Sequence, residues 1–269
     1  MTSLSIVIVS YNAREHLEKC VQSLAEAPPV IPHDITVVDN ASTDGSATAI
    51  RDRWPHVSLI QQSVNAGFAA GNNVGIRATR GELVLLLNND TIVPPGAIDR
   101  LVSRLAAHAG AAVAGPRLVN TAGVVELSFG AMISPFAELR QKLRMGLHDR
   151  GIAKWVERAA SRERYVDWVS GACLLVRRDA AERAGLLDER YFLYTEDVDF
   201  CAAIRAHGFR VLSTPAAEIV HLRVRSRASA GAAADAAFRQ SHVAFYEKHH
   251  PRWAPLLKLY LRLKGELPR

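Results

Sequence analysis

Residues 4–9 place Leu4, Ile6, Val7, Ile8 and Val9 around a single serine, an apolar and largely β-branched run without helical spacing. The pattern predicts a buried strand, followed by a turn at Ser10-Tyr11-Asn12. From 14 to 24 the period changes: Leu17, Val21 and Leu24 fall on one helical face. The alternation then repeats. Strands are expected at 35–38, 57–60, 83–87 and 111–114. Helices are expected from a cap at residues 42–46 to about 53, after the glycine-rich stretch 66–73, and from Pro94-Pro95 to about 107. Near-continuously apolar strands alternating with helices over short connections predict an α/β fold, with a mostly parallel sheet covered on both faces.

After Gly115-Pro116 the alternation breaks. A hairpin is expected over 119–129 around Thr121-Ala122-Gly123, then a basic, amphipathic helical insertion over about 136–164. Strands are expected at 168–176 and 209–212, and helices at 197–206 and 230–248. No internal repeat or linker marks a domain boundary.

The chain has 269 residues, 49% of them hydrophobic, enough for one large α/β domain with insertions. Cys20, Cys173 and Cys201 are odd in number and form no C-x-x-C pair. This excludes a disulfide framework or zinc site and suits a reducing compartment. No secretory leader is expected, because residues 1–3 lack a basic region and 4–9 are too few for a hydrophobic one. No apolar run approaches the roughly 20 residues of a bilayer span. The net charge of +6 favours an anionic partner. Without an aromatic-and-basic platform or a helix-turn-helix pattern, nucleic acid is not expected.

In a parallel sheet, ligands bind beyond the carboxyl ends of the strands. Asp39 and Asp90 both end predicted strands and so face one crevice. Asp39, beside a helix N-terminus, can accept from a base N–H or a ribose hydroxyl while the helix amides draw phosphate; the alternative is a plain turn with Asp44 and Ser46 as caps. Asp90, closing Asn88-Asn89-Asp90, is a hard oxygen ligand suited to Mg²⁺ or Mn²⁺, or the end of a polar turn. The glycines from 67 to 75 permit close approach of backbone to a ligand, or simply a tight strand-to-helix turn. Glu196, Asp197 and Asp199 open a helix, where they either complement its dipole or supply a base that deprotonates a hydroxyl. Glu196 and Asp199 share a face and Asp197 points elsewhere. His221 stands alone further on.

The ordered set resembles the family 2 glycosyltransferases of GT-A fold, in particular their bacterial rhamnosyltransferase-like branch. It comprises residues 5–12, 38–46, 65–73, 86–90, 171–178, Asp188-Glu189, Phe192 and 195–201. It covers most of residues 4–225 and leaves 226–269 as a C-terminal helical extension. The resemblance implies a Rossmann-like sheet and an inverting, metal-dependent sugar transfer in cell-surface polysaccharide synthesis. The expected donor is a dTDP- or UDP-sugar, best dTDP-rhamnose, and the acceptor a glycan or a polyprenyl-diphosphate-linked glycan.

It implies that Asp39 holds the base, Asp90 and His221 bind Mg²⁺ or Mn²⁺, and Asp197 is the catalytic base. Ser10, Tyr11, Asn12, Asn65, Gly67, Asn72, Asn88 and Asn89 fall to the donor. Trp168, Gly171, Glu196 and Asp199 fall to acceptor binding or positioning. Asn88 departs from the pattern: many relatives carry aspartate there, and a neutral amide holds a divalent ion less strongly or contacts the donor ribose instead. A sugar-nucleotide nucleotidyltransferase is disfavoured because no glycine-rich signature with a following lysine lies near the N-terminus. A dehydrogenase is disfavoured because no G-x-G-x-x-G follows the first strand. A non-catalytic carbohydrate- or lipid-binding relative is disfavoured by Asp39, Asp90, Asp197 and His221 being present together.

In the tail, Trp253, Leu256, Leu257, Leu259, Tyr260, Leu261 and Leu263 interleave with Lys258, Arg262 and Lys264. This pattern suits a helix on an anionic leaflet or one docked on the core with its charges solvated. A cytoplasmic location, peripheral on the inner face of the cell membrane, is the matching expectation.

Overall fold

The computed structural model describes residues 2–136, 138, 156–222 and 231–266. The first half follows the alternation of the sequence: β1 (Leu4–Ser10), α1 (Arg14–Glu26), β2 (His33–Asp39), α2 (Ser46–Arg53), β3 (Ser58–Gln61), α3 (Phe68–Ala78) and β4 (Leu83–Asn88). Then come a short β5 (Thr91–Ile92), α4 (Ala97–Ala107) and β6 (Ala111–Val119). The strands β3, β2, β1 and β4 lie side by side and all run parallel. Successive residues of a strand enter opposite layers. Ile6, Ile8, Leu85 and Leu87 pack with Leu17 of α1 and Leu101 of α4. Val7, Val84 and Leu86 pack with Ile76 of α3. Both faces are covered, which is why these strands read as unbroken apolar runs.

The other half of the sheet is mixed. A long excursion carries β7 (Phe129–Gly130), β8 (Arg164–Val166) and β9 (Trp168–Val169), after which β10 (Cys173–Arg177) enters antiparallel between β4 and β6. The segment expected as one strand over 168–176 is thus two. A turn at residues 170–172 separates β9, which pairs with β7 in a two-stranded sheet, from β10 in the main sheet. The expected hairpin shrinks to a turn closed by Asn120 Oδ1, which accepts from the Ala122 and Val124 amides, and by one bridge between Val119 and Val125. Most of the expected basic insertion lies outside the described residues; its end is helical over 156–160 and passes into β8.

Helices α5 (Arg178–Arg183) and α6 (Glu196–Ala206) lead to β11 (Arg210–His221), which runs well beyond the expected 209–212. The register with β6 slips between Thr214 and Glu218, around Pro215, and then resumes. The proline has no N–H to give a ladder, and that broke the pattern in the sequence. The extension carries His221 to β5, where it pairs with Thr91. Helices α7 (Gly231–His249) and α8 (Ala254–Leu263) follow, and Phe245, Tyr246 and Ala254 pack on Tyr191 and Val198. Among the described residues no helix is long and apolar enough to cross a membrane.

Candidate active site

The parallel register brings the strand ends together: Ser10 lies opposite Asp39, and Val9 opposite Asn88. Asp39 is 2% exposed. Its Oδ2 accepts from the Ser42 amide at 3.3 Å, while Oδ1 is buried without a protein partner. An unpaired carboxylate oxygen in that position is expensive unless a ligand donates to it, which fits the donor role expected of Asp39. The Asn89 amide group donates to Ser10 Oγ at 3.0 Å, tying the end of β4 to β1. Tyr11, Asn12, His16, Asp44, Asn89 and Asp90 line a cleft of about 530 Å³ at this edge.

Several residues expected at the donor are engaged within the protein. Asn12, in a left-handed conformation at φ 47°, accepts from the Thr43 amide at 2.8 Å and donates its own amide to Ser42 Oγ at 2.9 Å. It therefore clamps the loop that carries Asp39. Asn65 Oδ1 accepts from the Gly67 amide, and the Gly67 carbonyl accepts from Asn40 Nδ2. A Cβ on Gly67 would collide with the Phe192 carbonyl. Close packing against Phe192 thus accounts for glycine at position 67. Asn72 Nδ2 donates to the Phe68 carbonyl, but Asn72 Oδ1 and Asn88 Oδ1 are buried without protein partners, so their carbonyl groups are available to a ligand.

Asp90 Oδ1 lies 3.3 Å from His221 Nε2. The other ring nitrogen, Nδ1, lies 3.0 Å from Glu126 Oε2. Sequence reasoning missed Glu126; its only signal is an acid inside the apolar stretch 124–127. Burial opposes the charge on Asp90, but the hydrogen bond and charge of His221 outweigh it and hold the carboxyl below its ordinary value. Burial likewise pushes His221 down, and its two acidic partners more than reverse this.

A histidine oriented by a second carboxylate is the usual outer support of a metal ligand. Among the described residues no group of three or more His, Cys, Asp and Glu side chains can hold a metal. The ligands expected from the sequence, the Asp90 carboxylate and the His221 imidazole, do stand side by side. The pair fits an Mg²⁺ or Mn²⁺ ion that takes its remaining ligands from substrate phosphates and water.

The turn at 170–172 joins this edge to α6. The Asn88 amide donates to the Ala172 carbonyl at 3.0 Å, and the Gly171 amide donates to Asp197 Oδ2 at 2.8 Å. The Val198 amide donates to Asp197 Oδ1 at 2.8 Å. Asp197 is half-buried in the first turn of α6. Burial raises its pKa, against the two backbone donors. Glu196 beside it is buried, with Oε2 unpartnered and its pKa raised by burial and then by the charge of Asp197. Tyr194 and Thr195 enter α6 at φ 71° and 65°, and Thr195 makes no side-chain cap. Two consecutive left-handed residues without glycine are a strained entry of the kind found at functional sites.

Asp199 points elsewhere. It is 1% exposed, and its oxygens meet Lys248 Nζ at 2.8 Å, His249 Nε2 at 2.6 Å and the Tyr191 hydroxyl at 3.2 Å. Of the two tasks expected of it, the geometry fits fixing the helix, not touching an acceptor. Trp168 donates from Nε1 to the Ala131 carbonyl and packs over Gly130 beside the turn. All three cysteines are free and buried, as small apolar residues.

The profile of the family described as "Glycosyltransferase like family 2" matches residues 2–254. The N-acetylglucosaminyl-diphospho-decaprenol L-rhamnosyltransferase of Mycobacterium tuberculosis is 33% identical over 94% of this chain and 87% of its own length. The O-antigen biosynthesis protein RfbC of Myxococcus xanthus is 28% identical over 96% of this chain and 20% of its own. In fold, the chain is similar to a mannosyltransferase of Pyrobaculum calidifontis in complex with GDP-Man and Mn²⁺, with a TM-score of 0.61, 18% identity, and coverage of 95% of this chain and 68% of that one. It is also similar to GalNAc-T7 with UDP, GalNAc and Mn²⁺, with a TM-score of 0.64, 15% identity, and coverage of 90% and 48%.

Proposed function

Because this chain belongs to glycosyltransferase-like family 2, we propose that it moves a sugar, with inversion, from a nucleotide-sugar donor to a hydroxyl of a lipid-linked glycan. It is a glycosyltransferase of GT-A fold; the donor, the acceptor and the course of the reaction are the proposal. The observation that carries it is the turn at 170–172. That turn holds Asp197 by the Gly171 amide and is itself fastened to Asn88, at the strand edge that carries Asp39 and Asp90. Rhamnose is the sugar favoured by the mycobacterial relative, whose name gives an L-rhamnosyltransferase acting on N-acetylglucosaminyl-diphospho-decaprenol; dTDP as its carrier rests on the resemblance of the sequence to the rhamnosyltransferase-like branch.

Asp39 Oδ1 accepts from the base, and the unpartnered carbonyls of Asn72 and Asn88 serve the donor's polar groups. Asp197 takes the proton of the acceptor hydroxyl. The acceptor oxygen forms its bond to the anomeric carbon as the bond to the nucleotide diphosphate breaks on the opposite face. A divalent ion held by Asp90 and His221 would neutralise the leaving diphosphate. Gly171 positions Asp197, and Glu196 borders the acceptor side.

A thermal-shift screen of dTDP-, UDP- and GDP-sugars with and without Mn²⁺ tests the donor, since a ligand bound to the folded state raises Tm by mass action. Strongest stabilisation by dTDP-rhamnose with Mn²⁺ is expected. No stabilisation by any sugar nucleotide, with no hydrolysis of one, would favour a non-catalytic relative instead.

A further inference from the structure

Helix α8 carries its apolar residues on the wrong side for a helix that only caps a core. Its inner face is narrow: Ala254 and Leu261 are buried and Leu257 is half-buried. On the opposite side Leu256, Leu259 and Leu263 are 58%, 53% and 80% exposed. At 100° per residue these three fall within an arc of about 60°. Trp253 and Tyr260 border the arc, and the exposed Phe136 leans edge-on against Trp253 at 5.9 Å between ring centroids. A contiguous exposed apolar patch of this kind marks an interaction surface.

The charges around it say which surface. Between 252 and 264 the ionisable side chains are Arg252, Lys258, Tyr260, Arg262 and Lys264, with no carboxylate among them. Lys258 is paired to Glu247 at 2.5 Å, and Lys264 stands over the Tyr260 ring. An outward row of leucines, aromatic residues at its rim and cations beside it is the composition of a helix that lies in a bilayer interface.

We propose that α8 docks the protein on the surface of an anionic phospholipid bilayer. Leu256, Leu259 and Leu263 enter the acyl boundary, and Arg252, Arg262 and Lys264 meet the headgroups. Ala254, on the inner face of the same helix, shares an apolar cluster with Phe245 and Tyr246 of α7 and with Val198, the neighbour of Asp197. The docked helix is therefore joined through that cluster to the helix that carries the proposed base. That the acceptor is drawn from the bilayer rests on the reading above; the docking itself does not.

Co-sedimentation of the full chain with vesicles of phosphatidylcholine alone, or mixed with phosphatidylglycerol, tests the proposal. The protein is expected to sediment with the mixed vesicles and to be released by salt, which screens the headgroup attraction. Leu256→Ser/Leu259→Ser/Leu263→Ser is expected to weaken binding by at least about tenfold, with unchanged Tm and unchanged transfer to a water-soluble acceptor. Arg252→Gln/Arg262→Gln is expected to lose the preference for the anionic vesicles. Failure of the wild-type chain to sediment with the mixed vesicles overturns the proposal, as does a triple serine variant that sediments like wild type. So does a concentration-dependent dimer that the triple variant abolishes without any vesicle binding. Loss of transfer to the soluble acceptor in the wild-type chain would count against the catalytic reading and leave the docking result standing.

Discussion

Glu126 Oε2 lies 3.0 Å from His221 Nδ1, so the carboxylate approaches the histidine from the side opposite Asp90. The contact fixes the ring orientation and presents Nε2 to Asp90. A supporting carboxylate of this kind is worth about 10–100-fold in metal affinity. Glu126→Gln keeps the shape but removes the charge. It is expected to raise the Mn²⁺ concentration needed for half-maximal activity by about that factor, with little change at saturating Mn²⁺. A metal titration of sugar-nucleotide hydrolysis checks this; an unchanged midpoint removes Glu126 from the metal account.

Asp197 receives two backbone donors, one on each oxygen. Asparagine offers one acceptor oxygen and cannot take up a proton from a hydroxyl. Asp197→Asn is therefore expected to lower kcat by about 10²–10⁴-fold, while donor affinity, read by the thermal shift with the sugar nucleotide, stays within about threefold of wild type. A fall in donor affinity that matches the fall in turnover would mean that Asp197 holds the donor instead.

Much of this was legible in the sequence, and the part that was not has a common cause. The strand end at Asp39 and the turn after β4 that holds Asp90 follow from period and turn residues, which are local. The antiparallel entry of β10, the length of β11 and the meeting of Glu126 with His221 depend on partners 86 residues apart or more in the chain or on a register slip around Pro215. No local pattern encodes such pairings. Asp199 shows the limit well. Its spacing places it beside Glu196, yet its partners, Lys248 and His249, come from a helix 49 and 50 residues away.

The acid limb of the rate profile follows from burial. A base must be unprotonated to act, so kcat falls as pH falls through the pKa of Asp197. Burial places that value above the ordinary aspartate range, and Glu196 is raised beside it. The limb is therefore expected above the ordinary carboxylate value of about 4. As two neighbouring carboxyls titrate as a pair, Glu196→Gln should reduce the limb to one ionisation. A profile of kcat from acid to neutral pH decides it, and a limb at or below the ordinary value would contradict the burial argument.

The Asp199 cluster is a stability device. Asp199→Asn retains the shape but removes the charge that faces Lys248 and His249. Removing one charged partner from a nearly buried contact costs about 2–3 kcal/mol. Urea unfolding should show that loss. Lys248→Met keeps the aliphatic stem and leaves Asp199 with Tyr191 and His249, so a smaller loss is expected. Equal losses would mean that the contacts of Lys248, which also meets Asp188 at 2.8 Å, carry the energy.

The glycine pattern of α3 separates packing from binding. A Cβ on Gly71 would stand 2.7 Å from Val9 Cγ1, and Gly71 lies against the buried strand β1, with Asn40 Nδ2 at 3.3 Å. Its absence of a side chain therefore lets helix and strand approach, and no ligand is needed to account for it. Gly71→Ala is expected to destabilise the fold by about 1–3 kcal/mol through overpacking, against a helix-propensity gain of roughly 1 kcal/mol. Val9→Ala alone opens a cavity and also destabilises. In the double variant the new methyl group occupies the space left by valine, so the two losses should cancel in part. A coupling energy of about 1 kcal/mol or more in that cycle identifies the contact as the reason for the glycine. Additive losses, with donor affinity falling in Gly71→Ala alone, would return Gly71 to the ligand.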